Sequence, residues 1–168
     1  MAIDYYFDDD SEMEPIIKFD DEYFMNIALR QAELAEQCGE VPIGAIAVKG
    51  NIVIARSYNQ VEMLKDATAH AEILAITQAS AFLDNWRLDD VTIYVTKEPC
   101  AMCAGAMVNA RVGRLVYGMS DPRSGCAGSA LNITNYEGML HKLEVTGGVL
   151  EYECKTIIQE FFRKVRQR

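Results

Sequence analysis

Hydrophobic and polar residues follow each other along this chain at two spacings, one typical of amphipathic helices and one typical of strands. Residues 21–38 show the helical spacing, and Gly39 and Pro42 follow them as stop signals. The apolar positions of this first segment are Phe24, Ile27, Ala28, Ala32, Leu34 and Ala35. Residues 150–168 show the same spacing near the other end of the chain. The pattern therefore predicts a helix near each end of the folded region.

Short runs rich in β-branched residues lie between these two helices and predict strands. Residues 43–48 and 52–58 flank Lys49-Gly50-Asn51, which is a hairpin signal. The other predicted strands are residues 91–95, 115–117 and 143–146. Residues 59–65 are predicted to form a polar loop. Residues 118–128 are predicted to form a Gly/Ser/Pro loop, and a weaker helical or irregular segment follows to residue 140.

Two further helices are predicted among the strands. Thr68 is expected to be the N-cap of a helix over 69–80. Pro99 is expected in the first turn of a second helix, where proline is tolerated. Strands that alternate with helices indicate an α/β fold, a three-layer α/β/α sandwich around a mixed five-stranded sheet.

Length, composition and charge fit one folded domain with an acidic extension. The chain has 168 residues, half of them hydrophobic, and a net charge of −9. Residues 1–22 contribute −8, so the remaining residues are nearly neutral. We expect residues 1–20 to be a flexible extension and residues 21–168 a single domain. No membrane span or leader is recognised, and five cysteines that include a CxxC pair favour a reducing compartment, so a cytoplasmic protein is expected.

Two short segments carry candidate chemistry, a His-x-Glu at residues 70–72 and a Pro-Cys-x-x-Cys at residues 99–103. His70, Cys100 and Cys103 are three possible ligands for a Zn²⁺ ion, which would keep its fourth position for water. Glu72 would be the catalytic acid/base that moves the proton of that water. Attack of the water on an amidine-type carbon, with loss of ammonia, is hydrolytic deamination, and nucleobases are the obvious biological amidines.

Each segment alone has another interpretation. A lone CxxC is also typical of redox sites or of half a structural zinc ribbon, and a single HxE is weak. The chain has no second CxxC, and its other histidine, His141, lies in no ligand-like setting. A non-catalytic, zinc-stabilised interaction module remains an alternative, but a purely structural site has no use for Glu72.

The chain resembles the bacterial tRNA-specific adenosine deaminases of the zinc-dependent cytidine/deoxycytidylate deaminase superfamily, whose signature is H-x-E…P-C-x-x-C. The resemblance extends from about residue 21 to residue 168. It is carried by residues 41–44, 68–72, 85–88, 92–96, 98–107, 118–121, 128–129 and 161–163. It implies a cytidine-deaminase-like fold, one zinc ion per subunit, a homodimer, and conversion of adenosine to inosine at the wobble position of a tRNA anticodon.

The resemblance also implies roles for other residues. Asn59 would hydrogen-bond the flipped nucleotide, Asp121 would line the site near the ribose, and Ala71 is placed with them as substrate-binding. From the residues alone, Asn59 is a turn residue and Asp121 starts an Asx-turn before Pro122. The expected contacts to the anticodon stem-loop are Phe162, Arg163, Lys164 and Arg166.

Two alternatives stay open on the sequence. The basic cluster at the end of the chain is either a phosphate-contacting patch or a solvated helix end that complements the helix dipole. The zinc apparatus would also serve a deaminase of a free nucleobase or nucleotide, of the guanine or cytosine type.

Overall fold

A mixed five-stranded sheet forms the centre of the folded chain. The computed structural model describes residues 19–167, so the extension predicted for residues 1–20 lies, except for its last two residues, outside the described residues. The elements are α1 Asp21–Gln37, β1 Gly44–Lys49, β2 Ile52–Tyr58, α2 Val61–Leu64, α3 Ala71–Leu83, β3 Val91–Lys97, α4 Ala101–Asn109, β4 Arg114–Met119, β5 Glu144–Thr146 and α5 Glu151–Arg166. Among residues 19–167, no helix has the length and apolar character that a membrane crossing requires.

The strand order explains where the loops meet. The order is β2-β1-β3-β4-β5, with β1 antiparallel to both of its neighbours and β3, β4 and β5 parallel. Gly44 pairs with Tyr58, and Lys97 pairs with Met119. The segments that follow β2, β3 and β4 therefore leave the sheet at one edge, which we call the catalytic edge. The mixed five-stranded sheet predicted from the alternation of elements is confirmed.

Each face of the sheet packs against its own pair of helices. Successive side chains of a strand point to opposite faces, and Ala45 and Ala47 of β1 pack in one core while Ile46 and Val48 pack in the other. The first core holds the buried faces of α3 and α4, and the second those of α1 and α5. The three layers are therefore α3/α4, the sheet, and α1/α5, as predicted.

One predicted loop contains a helix instead. Residues 61–64 form α2, where the sequence predicts a polar loop. The carboxylate of Glu40 accepts hydrogen bonds from the backbone N–H groups of Glu62 (3.2 Å) and Met63 (2.6 Å). These bonds satisfy N–H groups that a helix leaves free in its first turn. The capping group comes from more than 20 residues away, so local sequence does not show it.

Candidate active site at the catalytic edge

The three predicted metal ligands meet at the catalytic edge. His70 immediately precedes α3, and Cys100 and Cys103 lie at the start of α4. Their ligand atoms all lie within 4.8 Å of one another. The Nδ1 atom of His70 is 3.7 Å from the Sγ atom of Cys100 and 3.5 Å from that of Cys103. The fold therefore assembles, from residues 30 positions apart, a group that could hold a metal ion.

Two of these ligands are the N-cap residues of their helices. His70 and Cys100 both have extended backbone angles, and neither side chain makes a capping hydrogen bond. The predictions that Thr68 caps the helix of residues 69–80 and that Pro99 lies in the first turn of its helix are therefore wrong. Thr68 bonds the Asp66 carboxylate instead. At these two N-cap positions, the side chain points to the cluster instead of capping its own helix. The cluster therefore lies in front of the positive end of each helix.

The environment of the cluster favours the thiolate form of Cys100, whereas the hydrogen bond with Cys100 and burial raise the pKa of Cys103. Hydrogen bonds with Cys103 and His70 lower the pKa of Cys100 to about 3. The thiolate is the form of cysteine that binds metal ions, and a helix N-terminus favours it further. Cys103 is fully buried and Cys100 is partly exposed. The cluster thus combines one ionised sulfur with a second sulfur enclosed by the core.

Glu72 lies beside the cluster and is almost removed from solvent. It is the second residue of α3, its exposed fraction is 4%, and its carboxyl contacts the Cys103 thiol. Burial raises the pKa of this carboxyl, because the charged form loses its hydration. A raised pKa suits a group that takes up a proton and later returns it.

A cavity of about 490 Å³ opens next to His70. Asn59, which directly follows β2, lines the cavity. Val41, Ile43 and Phe161 form apolar parts of its wall. Asn59 is buried, with an exposed fraction of 7%, and its Nδ2 donates to an oxygen of Glu40 at 3.2 Å. The cavity combines a polar amide with apolar walls, which is typical of small-molecule and nucleobase sites.

Similarity to known proteins agrees with this geometry. Residues 19–166 match the family model of the MafB19-like deaminases. A tRNA-specific adenosine deaminase of Bacillus subtilis (strain 168) is 46% identical over 148 residues, which cover 88% of this chain and 92% of the relative. The chain belongs to the tRNA-specific adenosine deaminase family. It is a deaminase, and the recognition made from its motifs is confirmed.

Two solved structures have folds similar to the fold of this deaminase. One from studies of A-to-I editing by tRNA:A34 deaminases at the wobble position of transfer RNA has a TM-score of 0.78 at 43% identity, over 80% of this chain and 98% of that one. A guanine deaminase from Bacillus subtilis has a TM-score of 0.58 at 37% identity, over 60% of this chain and 65% of that one. The cytidine-deaminase-like α/β fold is confirmed.

Asp121 of the deaminase lies at the catalytic edge, but its carboxylate already has four donors. Lys97 Nζ and Ser124 Oγ donate to it, together with the backbone N–H groups of Arg123 (3.0 Å) and Ser124 (3.2 Å). Burial opposes its ionisation, but the hydrogen bonds from Lys97 and Ser124 hold the pKa of Asp121 far below its usual range. The Asx-turn before Pro122, which is the alternative role of Asp121 in the sequence, is therefore present in the structure.

Ala71 and the terminal helix occupy different environments. Ala71 is fully buried, and its carbonyl accepts a bond from Ser57 Oγ at 2.7 Å, so only its backbone could reach a substrate. Phe162 is 42% exposed, whereas its neighbour Phe161 lines the cavity. Lys164 forms an ion pair with Glu36 of α1 at 2.8 Å. Arg163 and Arg166 line a shallow groove on the outer face of α5.

Sequence reasoning missed two buried acids of this deaminase, Glu40 and Glu98, whose exposed fractions are 1% and 2%. Glu98 accepts the backbone N–H groups of Asp121 (2.9 Å), Ala127 (3.0 Å) and Ser129 (3.0 Å). Burial opposes its ionisation, but the hydrogen bonds from Ser129 and from these backbone groups outweigh it and lower the pKa of Glu98. The available signal for Glu98 was an acid that follows the predicted strand and immediately precedes Pro99 and the Cys-x-x-Cys pair.

Proposed function

We propose that this deaminase converts adenosine to inosine at the wobble position of a tRNA anticodon, with a zinc ion held by His70, Cys100 and Cys103. The observation that carries the proposal is the three-ligand cluster, in which Cys103 contacts the buried Glu72 and His70 lines a cavity together with Asn59. The tRNA-specific adenosine deaminases among its relatives support RNA as the substrate.

The spacing of the ligand atoms fits zinc. Tetrahedral zinc with ordinary Zn–N and Zn–S bonds separates a nitrogen ligand from a sulfur ligand by about 3.6 Å. The two observed separations are 3.7 and 3.5 Å. One nitrogen and two sulfurs leave a position open, as catalytic zinc sites do. When bound, zinc lowers the pKa of the attacking water.

Glu72 would move the proton. Its carboxylate accepts one proton from the attacking water and passes it to N1 of the base. It then takes the second proton from the new C6 hydroxyl and delivers it to N6, which leaves as ammonia. Water adds at C6 of adenosine, the C6–N6 bond breaks, and the products are inosine and ammonia. The buried position of Glu72 keeps bulk water from competing for the proton.

The cavity would hold the flipped base, and the terminal helix would approach the RNA. Asn59 would offer hydrogen-bonding groups to the base, and Asp121, which forms an ion pair with Lys97, would lie near the ribose. The exposed Phe162, Arg163 and Arg166 would contact the anticodon stem-loop, and Lys164 would do so only after its ion pair with Glu36 is broken. We further propose a cytoplasmic homodimer, which the family resemblance implies.

One assay tests the proposal. The purified protein is incubated with an anticodon stem-loop that carries adenosine at the wobble position and, separately, with free adenosine, cytidine and guanine, and inosine and ammonia are measured. We expect turnover of the stem-loop only. Turnover of free guanine or cytidine without the RNA would instead favour a free-base or nucleoside deaminase, for which the guanine deaminase fold neighbour is the precedent.

The same assay on Glu72→Gln tests the chemistry. We expect one zinc per chain in both proteins by metal analysis, and a loss of inosine formation by about 10²- to 10⁴-fold in the variant. Retained activity in Glu72→Gln would exclude Glu72 as the proton carrier. Absence of zinc from the active wild-type protein would exclude the metal assignment.

A further inference from the structure

Glu40 is a buried acid in the wall of the cavity, and all of its hydrogen-bond partners among the described residues are N–H donors. Its exposed fraction is 1%. Oε1 accepts from the backbone of Met63, and Oε2 accepts from the backbone of Glu62 and from Nδ2 of Asn59. Both carboxyl oxygens of Glu40 therefore face N–H donors and act as acceptors.

This arrangement decides the orientation of the Asn59 amide. An asparagine side chain can present either its oxygen or its NH₂ group to a neighbour, and the two orientations have nearly the same shape. Because Glu40 only accepts, the NH₂ group must point to it. Glu40 therefore accepts one N–H of Asn59. The second N–H and the Oδ1 oxygen are then held in one orientation relative to the cavity.

We propose that Glu40 is a positioning residue that holds the Asn59 amide in a single orientation for the base. The inference rests on the proposed function, because it assumes that Asn59 contacts the nucleotide. Glu40 also fixes residues 61–64 through the two backbone N–H groups. The test must therefore separate the effect on the amide from the effect on this short helix.

A double-mutant cycle makes that separation. Glu40→Gln keeps the size of the side chain but places an NH₂ group against at least one N–H donor. We expect Glu40→Gln to lower kcat/KM on the stem-loop by about 10- to 100-fold. In an Asn59→Ala background the same substitution should change kcat/KM by less than about two-fold, because no amide remains to be oriented.

Stability provides the second readout of the cycle. The lowering of the unfolding temperature by Glu40→Gln, which reports the anchoring of residues 61–64, should be similar in both backgrounds. Glu33→Gln removes an exposed acid from α1 and serves as the matched control, with kcat/KM and unfolding temperature unchanged. An equal loss of kcat/KM in both backgrounds, or no loss in the wild-type background, would overturn the proposal.

A measurement on the wild-type protein keeps the inference testable if the Glu40 variant does not fold. The ¹⁵N NMR signals of the Asn59 side-chain amide are assigned by their disappearance in Asn59→Ala. We expect one of its two protons to be shifted downfield and protected from exchange. Exchange as fast as that of an exposed asparagine would contradict the proposal. Inosine formation by the wild-type protein is measured in parallel, so failure of the proposed function is seen separately.

Discussion

The two edges of the central sheet both enclose charged side chains, but they pair them differently. At the catalytic edge, Glu40 accepts backbone N–H groups of the short helix α2, and Glu98 accepts those of the loop after β4. At the opposite edge, the Asp21 carboxylate binds the Arg114 guanidinium through two bonds of 2.8 Å and accepts a third from Tyr94 at 2.9 Å. One edge uses carboxylates to shape the backbone around a site, and the other uses an ion pair to fasten a helix to the sheet.

A carboxylate bound to backbone N–H groups and a carboxylate bound to an arginine have different effects on the structure. Backbone N–H groups are fixed by the main chain, so a carboxylate that accepts several of them determines the path of a loop. An arginine–carboxylate pair instead joins two elements through their side chains. Loss of an acid at the catalytic edge should therefore affect activity and stability, whereas loss at the opposite edge should affect stability alone.

Among the variants that compare the two edges, the largest effect is expected for Glu98→Gln. The variant places an NH₂ group among the three backbone donors of residues 121–129, so the loop must shift. We expect kcat/KM to fall by about 10²-fold and the free energy of unfolding by about 2–4 kcal/mol. Inosine assays and urea unfolding measure the two effects, with the exposed Glu137→Gln as control. Loss of stability with full activity would show that this loop does not shape the site.

A pair of glycine substitutions compares the edges at similar steric cost. A Cβ at Gly125 would overlap the Glu98 carboxylate, and a Cβ at Gly113 would overlap the carbonyl of Asp89 at the opposite edge. We expect each alanine variant to lose about 1–3 kcal/mol of unfolding free energy. Only Gly125→Ala should also lose activity, by about ten-fold or more. Equal kcat/KM values for the two folded variants would remove the distinction between the edges.

Asp21→Asn tests the opposite edge through pH. The pair is only partly exposed, with 30% for Asp21 and 26% for Arg114, and we expect a loss of about 1–3 kcal/mol at pH 7 with unchanged kcat/KM. The hydrogen bond from Arg114 lowers the pKa of Asp21. A carboxyl with a lowered folded pKa stabilises the protein above its unfolded pKa and loses this contribution as pH falls through the folded value.

The difference in unfolding free energy between wild type and Asp21→Asn should therefore shrink below about pH 4. Urea unfolding at a series of pH values measures it. A difference that stays constant down to pH 2 would mean that Asp21 stabilises α1 by a route other than its charge.

The smallest effect is expected for Lys97→Met, which removes an ion pair from the catalytic edge. Asp121 keeps three other donors, from Arg123 and Ser124. Because these donors keep the carboxylate hydrogen-bonded, we expect a loss of about 1 kcal/mol and a change of kcat/KM within about three-fold. Thermal unfolding and the stem-loop assay are sufficient to measure both. A loss as large as that of Asp21→Asn would show that the two edges depend on ion pairs alike.

The sequence alone predicted the periodic elements and the chemistry of the cluster. The spacing of apolar residues indicated the helices and strands to within a few residues, because it reflects which face each element buries. The candidate ligands His70, Cys100 and Cys103, which the fold brings together, were predicted because few residue types bind metal ions and their motif is short. The roles given to Asn59, Asp121 and the terminal basic residues remain predictions.

Only the tertiary structure decided how the side chains around the cluster are held. Thr68 was expected as an N-cap because local chemistry favours it, but the helix begins after His70, whose side chain turns to two cysteines 30 residues further on. Glu40 and Glu98 likewise bind groups some 20 to 30 residues away. A hydrogen bond between distant segments leaves no periodicity in the chain, so patterning determined the layers of this deaminase, and folding decided the partners of its buried acids.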